Sequence, residues 1–209
     1  AVGGYCPFFV RDIGILSTQA FANPALGPLA VTSLNMGRSP TQTLLDLSSA
    51  DPGFDYRQVG IIDKNGKVGM HTGDSCRNWA GHELGKGFAV FGNVLTSSRT
   101  VECMAKTYND AKGTEFSDRL LLALESGRDA GGQASSDGSH LPERSAALSI
   151  RGVDIVQDID LRVDMHDDAV KELRQVYKNY VPYIEYYALR ARDPQNTPAQ
   201  DVWVKEKIG

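Results

Sequence analysis

Three side chains that could bind a metal or move a proton stand close together in "HTGDSCRNWAGH": His71, Cys76 and His82. Their spacing matches no standard zinc pattern, and a fourth ligand would have to come from as far away as Cys103. A polar loop beyond a strand is the reading the spacing favours. His71 and His82 remain candidates as general bases, because an imidazole exchanges protons near neutral pH. "GHELGKGF" is glycine-rich and carries a lysine, but it lacks the Gly-Lys-Ser/Thr ending of a phosphate loop, so it reads as a glycine turn. "DIVQDIDLRVDMHDD" has many carboxylates without the glycine-turned loop of a calcium site. It reads as a solvated strand face with Asp167 or Asp168 capping the next helix. Asn93 is the more pointed candidate. It ends the apolar run "GFAVFGNVL", where a strand can aim an amide donor into a cleft and serve an oxyanion. The competing role is that of an ordinary turn former.

The elements that would carry these residues can be read from local patterns. Residues 12–21 read as a strand through Ile13, Ile15 and Leu16. "ANPALGPLAVTSLNMG" reads as a helix capped by Asn23, with Leu26, Leu29, Ala30 and Leu34 inward and Gly37 as its stop. "SPTQTLLDLSSAD" predicts a second helix with Ser39 as N-cap, Pro40 in the first turn, and Leu44, Leu45 and Leu47 facing in. Asn65-Gly66 predicts a tight hairpin pairing 56–63 with 67–72, and "GFAVFGNVL" a further strand. Two helices follow, with Val101, Met104, Ala105 and Tyr108 on one stripe and Phe116, Leu120, Leu121 and Leu124 on the other. The segment 132–143 is a polar, mobile surface loop by composition. "RSAALSIRG" and "DIDLRVD" alternate as strands, and a helix broken near Pro182 precedes a polar C-terminal tail over 189–209. Grouped strands and paired helices give an α+β fold with antiparallel sheets, in one domain over 1–188. The run Val59-Gly60-Ile61-Ile62 has no polar face, which implies a sheet covered on both sides.

The bulk numbers exclude whole classes of function. A chain of 209 residues with 41% hydrophobic and 23% charged residues can bury a full core. A net charge of −4 disfavours nucleic acid as the partner. No stretch approaches the roughly 20 apolar residues of a membrane span, so no membrane partner is expected. Three widely spaced cysteines, Cys6, Cys76 and Cys103, match no disulfide framework and fit a reducing, cytoplasmic compartment.

Read together, "STQAFANPALGP", "RQVGIIDKNGKVGMHTG", "WAGH", "GFAVFGNVL", "RLLLALESGRDAGG", "RSAAL" and "LRVDMHDDAVKELR" resemble a bacterial and archaeal family of unknown function placed among the N-terminal-nucleophile (Ntn) hydrolase-like folds. The resemblance implies a four-layer αββα sandwich. It also implies that Ala1 is an internal position of the family's domain, with earlier residues forming strand partners for 12–18. Enzymes of this type use an N-terminal Thr, Ser or Cys whose α-amino group is the base; Ala1 cannot fill that role, so no nucleophile is carried over. The candidates for the walls of the site are Asn93 and His71 as catalytic groups, with Thr18, Gln19, Arg57, Asp164 and His166 as substrate-binding groups. The expected activity is hydrolysis of an amide in a small molecule or peptide, with no metal and no cofactor. The alternative is a non-catalytic protein that binds a ligand or forms homo-oligomers. A thiol hydrolase using Cys6 is the weaker third option, since a thiol beside Pro7 in an apolar stretch should be poorly ionised.

Overall fold

The computed structural model describes residues 2–207; Ala1 and the last two residues of the expected tail lie outside it. A short helix α1 (Val2–Tyr5) leads into an antiparallel sheet in the order β1 (Pro7–Val10), β2 (Gly14–Ala20), β3 (Arg57–Asp63), β4 (Val68–Thr72). β2 is paired on both sides, Leu16 facing Phe8 on β1 and Ile61 on β3. The strand partner expected from residues ahead of Ala1 is therefore supplied from within the chain, by Pro7–Val10. That strand escaped the sequence reading because four residues around two phenylalanines show no period.

Helices α2 (Leu26–Asn35) and α3 (Pro40–Ala50) cover one face of this sheet. Leu26, Ala30, Leu44 and Leu47 meet Leu16, Val59 and Ile61 there, all buried. Leu29 and Leu45, expected inward, are exposed, because each sits just off the stripe that faces the sheet. Asn23 does not cap α2; its Oδ1 accepts from the Ala25 amide in the turn before the helix. Ser39 does cap α3, accepting from the Gln42 amide while Gln42 reaches back to the Ser39 amide.

The β3–β4 hairpin forms where Asn65-Gly66 places it, with Ile62 opposite Val68. The turn is longer than a two-residue one. Asp63 Oδ1 accepts from the Asn65 and Lys67 amides, and only Gly66 takes a left-handed φ, +76°. A side chain at 66 would meet only Gly87 Cα, at 3.9 Å, so the strain of Gly66→Val is conformational. That variant should lose about 1–2 kcal/mol, a fall in melting temperature of ~3–6 °C. An unchanged thermal melt would refute the turn assignment.

β5 (Gly81–Gly85) and β6 (Phe88–Gly92) form a second hairpin. The glycine turn read in "GHELGKGF" is there at Gly87, φ +76°, but the residues on either side of it are strand. This hairpin lies on the open face of the four-stranded sheet. Gly60 makes the approach possible, since a Cβ there would stand 2.8 Å from the Phe91 ring. α4 (Arg99–Asp110) packs outside it through Val101, Met104 and Ala105, and α5 (Phe116–Asp129) lies alongside. Phe116, expected inward, is half exposed at the start of α5. The supposed loop 132–143 contains a two-rung ladder, β7 (Gln133–Ala134) with β8 (His140–Leu141). Its polar tip is tied by Asp137 to Ser135 and Ser139.

β9 (Ala146–Ile150) and β10 (Ile159–Val163) pair and bury Leu148, Leu161 and Val163 against α6 (Ala169–Arg192). Asp168 caps α6 by accepting from the Lys171 amide. The expected break at Pro182 does not occur, and the boundary expected at 188 falls within α6. Packing along the helix outweighs the one hydrogen bond the proline removes. The polar tail includes α7 (Gln200–Lys207), docked by buried Trp203 on Tyr186, ring centroids 5.5 Å apart. No helix of the described residues is long and apolar enough to cross a membrane.

Candidate functional site

Strand alternation divides the sequence candidates between two faces. On β2 and β3, Leu16, Thr18, Val59 and Ile61 point to α2 and α3, while Ser17, Gln19, Gln58 and Gly60 point to the β5–β6 hairpin. Gln58 is fully buried on that second face. Its Nε2 lies 2.9 Å from the Gly92 carbonyl oxygen, 3.1 Å from that of Gly81 and 3.0 Å from Thr72 Oγ1. Carbonyls only accept, so this end of the amide must be the NH2 group. Oε1 is then an acceptor, and it takes hydrogen bonds of 3.3 Å from both Asn93 Nδ2 and Gln19 Nε2. Gln19 Nε2 also lies 3.4 Å from the Phe91 carbonyl oxygen. One buried amide thus fixes which way two half-buried amides face.

The backbone beside each of these amides is unusual. Ala20, following Gln19, has φ +66°, and Val94, following Asn93, has φ +53°. A β-branched residue is a rare outlier in that region. Val94 is held there by bonds from its amide to the Arg77 carbonyl and from the Ala134 amide to its own carbonyl, at 3.1 and 2.7 Å. Strain kept in place by its surroundings gathers at functional sites.

Gln19 and Asn93 line a cleft of about 520 Å3. Cys6 and Pro7 form one wall, Thr100, Met104 and Leu124 of α4 and α5 another, and Arg128, Glu143 and Arg144 stand at its charged side. Arg128 is bonded to Asp129 at 2.8 Å, a contact that raises its already high pKa. Glu143 accepts from the Gln133 amide at 3.1 Å. Burial pushes the Cys6 thiol up from its ordinary value, so little thiolate is present at neutral pH.

A second cleft, of about 450 Å3, opens beyond Thr72. Thr72 Oγ1 lies 3.0 Å from Gln58 Nε2 and 2.9 Å from His82 Nδ1. Trp79, Asp74, Glu83 and Glu102 line the same space. Among the described residues no group of His, Cys, Asp and Glu is arranged to hold a metal.

The other sequence candidates lie elsewhere. His71 is opposite Val59, on the helix-covered face, stacked on Phe54 at 4.2 Å with Nε2 3.0 Å from the Phe54 carbonyl oxygen. Thr18 is buried on that face too, and its hydroxyl accepts from the Asn23 amide. Arg57 pairs with Asp51, Nε to Oδ2 3.0 Å, and donates to the Phe21 carbonyl. Asp164 and His166 are exposed after β10 and line neither cleft, and His166 Nδ1 accepts from the Asp168 amide. Of the seven, Gln19 and Asn93 are brought together. The sequence reading missed Gln58, although a glutamine inside the apolar run "RQVGII" is a usable sign of a buried polar hub.

Hydrogen bonds from Arg57, then from Asn23 and the Gly53 amide, outweigh burial at Asp51 and hold its carboxyl below the ordinary range. A depressed folded pKa gives stability that is present above the unfolded value near 4 and lost as pH falls. Asp51→Asn should therefore destabilise the protein by about 1–3 kcal/mol at pH 7, with the gap to wild type narrowing at about pH 3. Denaturant melts at the two pH values check this; a constant gap would refute it.

A family profile described as "Family of unknown function (DUF1028)" matches residues 1–173. The chain belongs to that family. Both clefts are built from residues inside the DUF1028 match, which ends early in α6. Among solved structures, the chain is similar to the crystal structure of protein SPO2555 from Silicibacter pomeroyi, also assigned to DUF1028. The TM-score is 0.75 at 24% identity, over 87% of this chain and 78% of that one. That likeness establishes the fold alone. No curated protein matches the sequence.

Proposed function

We propose that this chain is an Ntn-type hydrolase acting on an amide bond of a small molecule or peptide. Asn93 supplies a donor that holds the carbonyl oxygen, and Gln19 lines the cleft beside it. The observation that carries this reading is the pair of carboxamides fixed by Gln58 at the edge of a cleft of about 520 Å3. Asn93 Nδ2 carries two protons and spends one of them on Gln58, whereas Gln19 Nε2 spends its two on Gln58 and the Phe91 carbonyl. The remaining Asn93 proton is a fixed donor of the kind that stabilises a developing oxyanion. The same reading takes the fold as a four-layer αββα sandwich. In support, α2 and α3 lie on one side of the four-stranded sheet, β5 and β6 on the other, and α4 outside them. Three unpaired thiols fit a cytoplasmic setting.

The test is incubation of the purified protein with simple primary amides, N-acyl amino acids and short peptides, with released amine measured. Wild type should release amine, and Asn93→Ala should do so more slowly. A compound that raises the melting temperature and yields no product would favour a non-catalytic binding protein. Neither product nor a thermal shift would sink the reading.

A further inference from the structure

Three non-glycine residues among those described take a left-handed φ: Asp12, Ala20 and Val94. Two of the three directly follow the carboxamides that meet at Gln58. Each of these two marks a corner where the chain leaves its strand. At the end of β6, Gly92 still pairs with Gly81, whereas beyond Val94 the chain joins two other segments. The Leu95 and Trp79 amides bond one another's carbonyls at 3.0 and 3.2 Å, and the Thr96 amide bonds the Gly132 carbonyl at 3.1 Å. Leu95 folds back onto Gly92, where a Cβ would stand 2.7 Å from its Cδ1. At the end of β2, the Phe21 amide bonds the Tyr56 carbonyl at 3.3 Å, and Arg57 donates to the Phe21 carbonyl. Glycine would enter this φ region without steric cost. Valine, with its branched Cβ, is among the residues least suited to it.

We infer that Val94 and Ala20 are positioning residues, whose side chains confine the two corners to the one backbone geometry that fixes Asn93 at the cleft. This rests on the proposed reading of Asn93 as an oxyanion donor and deepens it. A preorganised donor works because it need not reorient as charge develops. The bond from Asn93 to Gln58, at 3.3 Å, is a weak tether for that purpose. The backbone at 94 supplies the rest. Val94 is kept from an extended φ while its amide is held by Arg77 and its carbonyl by Ala134. Its branched Cβ also closes the other conformations that glycine would sample there. Ala20 does the same for Gln19, which shares Gln58 Oε1 with Asn93. Strain of this kind persists where the surroundings leave a corner only one state.

The experiment follows the side-chain NH2 groups of Asn93 and Gln19 by nitrogen NMR relaxation in the folded protein, with no substrate needed. In wild type both should be as rigid as ordered backbone, with order parameters of about 0.85. In Val94→Gly the Asn93 value should fall below about 0.6, while the melting temperature stays within about 3 °C of wild type. Val94→Ile keeps the branch and should keep Asn93 rigid. Asp12→Gly removes the same kind of strain from the β1–β2 turn, where no carboxamide is attached, and should leave both signals unchanged. On an amide that wild type turns over, Val94→Gly should lower kcat by about 10-fold to 100-fold at unchanged KM. A purely structural valine would shift the melt and leave kcat alone. An Asn93 amide that stays rigid in Val94→Gly overturns the inference. So does equal loosening in Asp12→Gly, or loosening with no loss of kcat. If Val94→Gly melts further below wild type than stated, Ala20→Gly decides: a loosened Gln19 NH2 upholds the inference and a rigid one overturns it. Wild type that releases no product sinks the hydrolase reading, and the Asn93 signal still decides the corner.

Discussion

Gln58→Leu should be the most damaging single substitution in the sheet, with a loss of about 3–5 kcal/mol and a melting temperature lower by ~10 °C or more. Leucine fills similar volume, so little of the loss comes from packing. It comes from the groups left behind. The Gly81 and Gly92 carbonyls and the Asn93 and Gln19 amides all bond Gln58, which is itself fully buried. Each buried group left unpaired costs about 1–3 kcal/mol, softened where water can enter from the cleft. Gln58→Glu separates this account from a simple size effect. A carboxylate would face two carbonyl oxygens without a proton to offer, so its folded pKa must rise above the ordinary value near 4.3. A raised folded pKa gives stability that is present at low pH and lost as pH climbs through it. Gln58→Glu should therefore approach wild type most closely near pH 4 and fall furthest behind above neutral. A Leu variant melting within about 2 °C of wild type would refute the hub, and so would a Glu variant whose deficit is the same at every pH.

Asn93→Ala should lower turnover of an amide substrate by about 100-fold to 1,000-fold, the range seen when one oxyanion donor is lost. Stability should change by no more than about 1 kcal/mol. The bond from Asn93 to Gln58 is long, 3.3 Å, and Gln58 Oε1 keeps Gln19 as a partner. Cys6→Ser is the control in the same cleft. The Cys6 thiol is pushed up by burial and is mostly protonated at neutral pH. Its replacement should leave turnover near wild type. The reverse pattern would transfer the chemistry to Cys6. Small, equal effects from both would leave the cleft as a binding site without catalysis.

His71 and Gln19, both flagged by sequence, met different fates for one geometric reason. Side chains on a strand alternate faces. His71 and Thr72 are adjacent, yet His71 packs under the helices against Phe54 while Thr72 joins Gln58 on the cleft side. Gln19 and Asn93 are separated by 74 positions in the chain, and the β5–β6 hairpin folding over Gly60 brings them to one amide. Nothing local in either segment encodes that meeting.

What the sequence determined by itself was what short-range physics controls. Ser39-Pro40 started α3, the second of the two aspartates at 167 and 168 capped α6, and Gly66 turned the β3–β4 hairpin, each through bonds or dihedrals spanning a few residues. The apolar run at Val59–Ile61 announced a strand covered on both faces, and so it is. What only the tertiary structure decided was which polar residues are buried together. Pro182 stayed inside α6 because distant packing outweighs its local cost. Arg57 went to Asp51, six residues away in sequence but reached only through the turn at Phe54–Tyr56. The pairing of Gln58 with two carbonyls, two amides and a hydroxyl depends on register across five strands. A one-residue slip would turn that glutamine to the opposite face. Register over long separations is fixed by the packed core as a whole, and for that reason the site could be read only after the chain had folded.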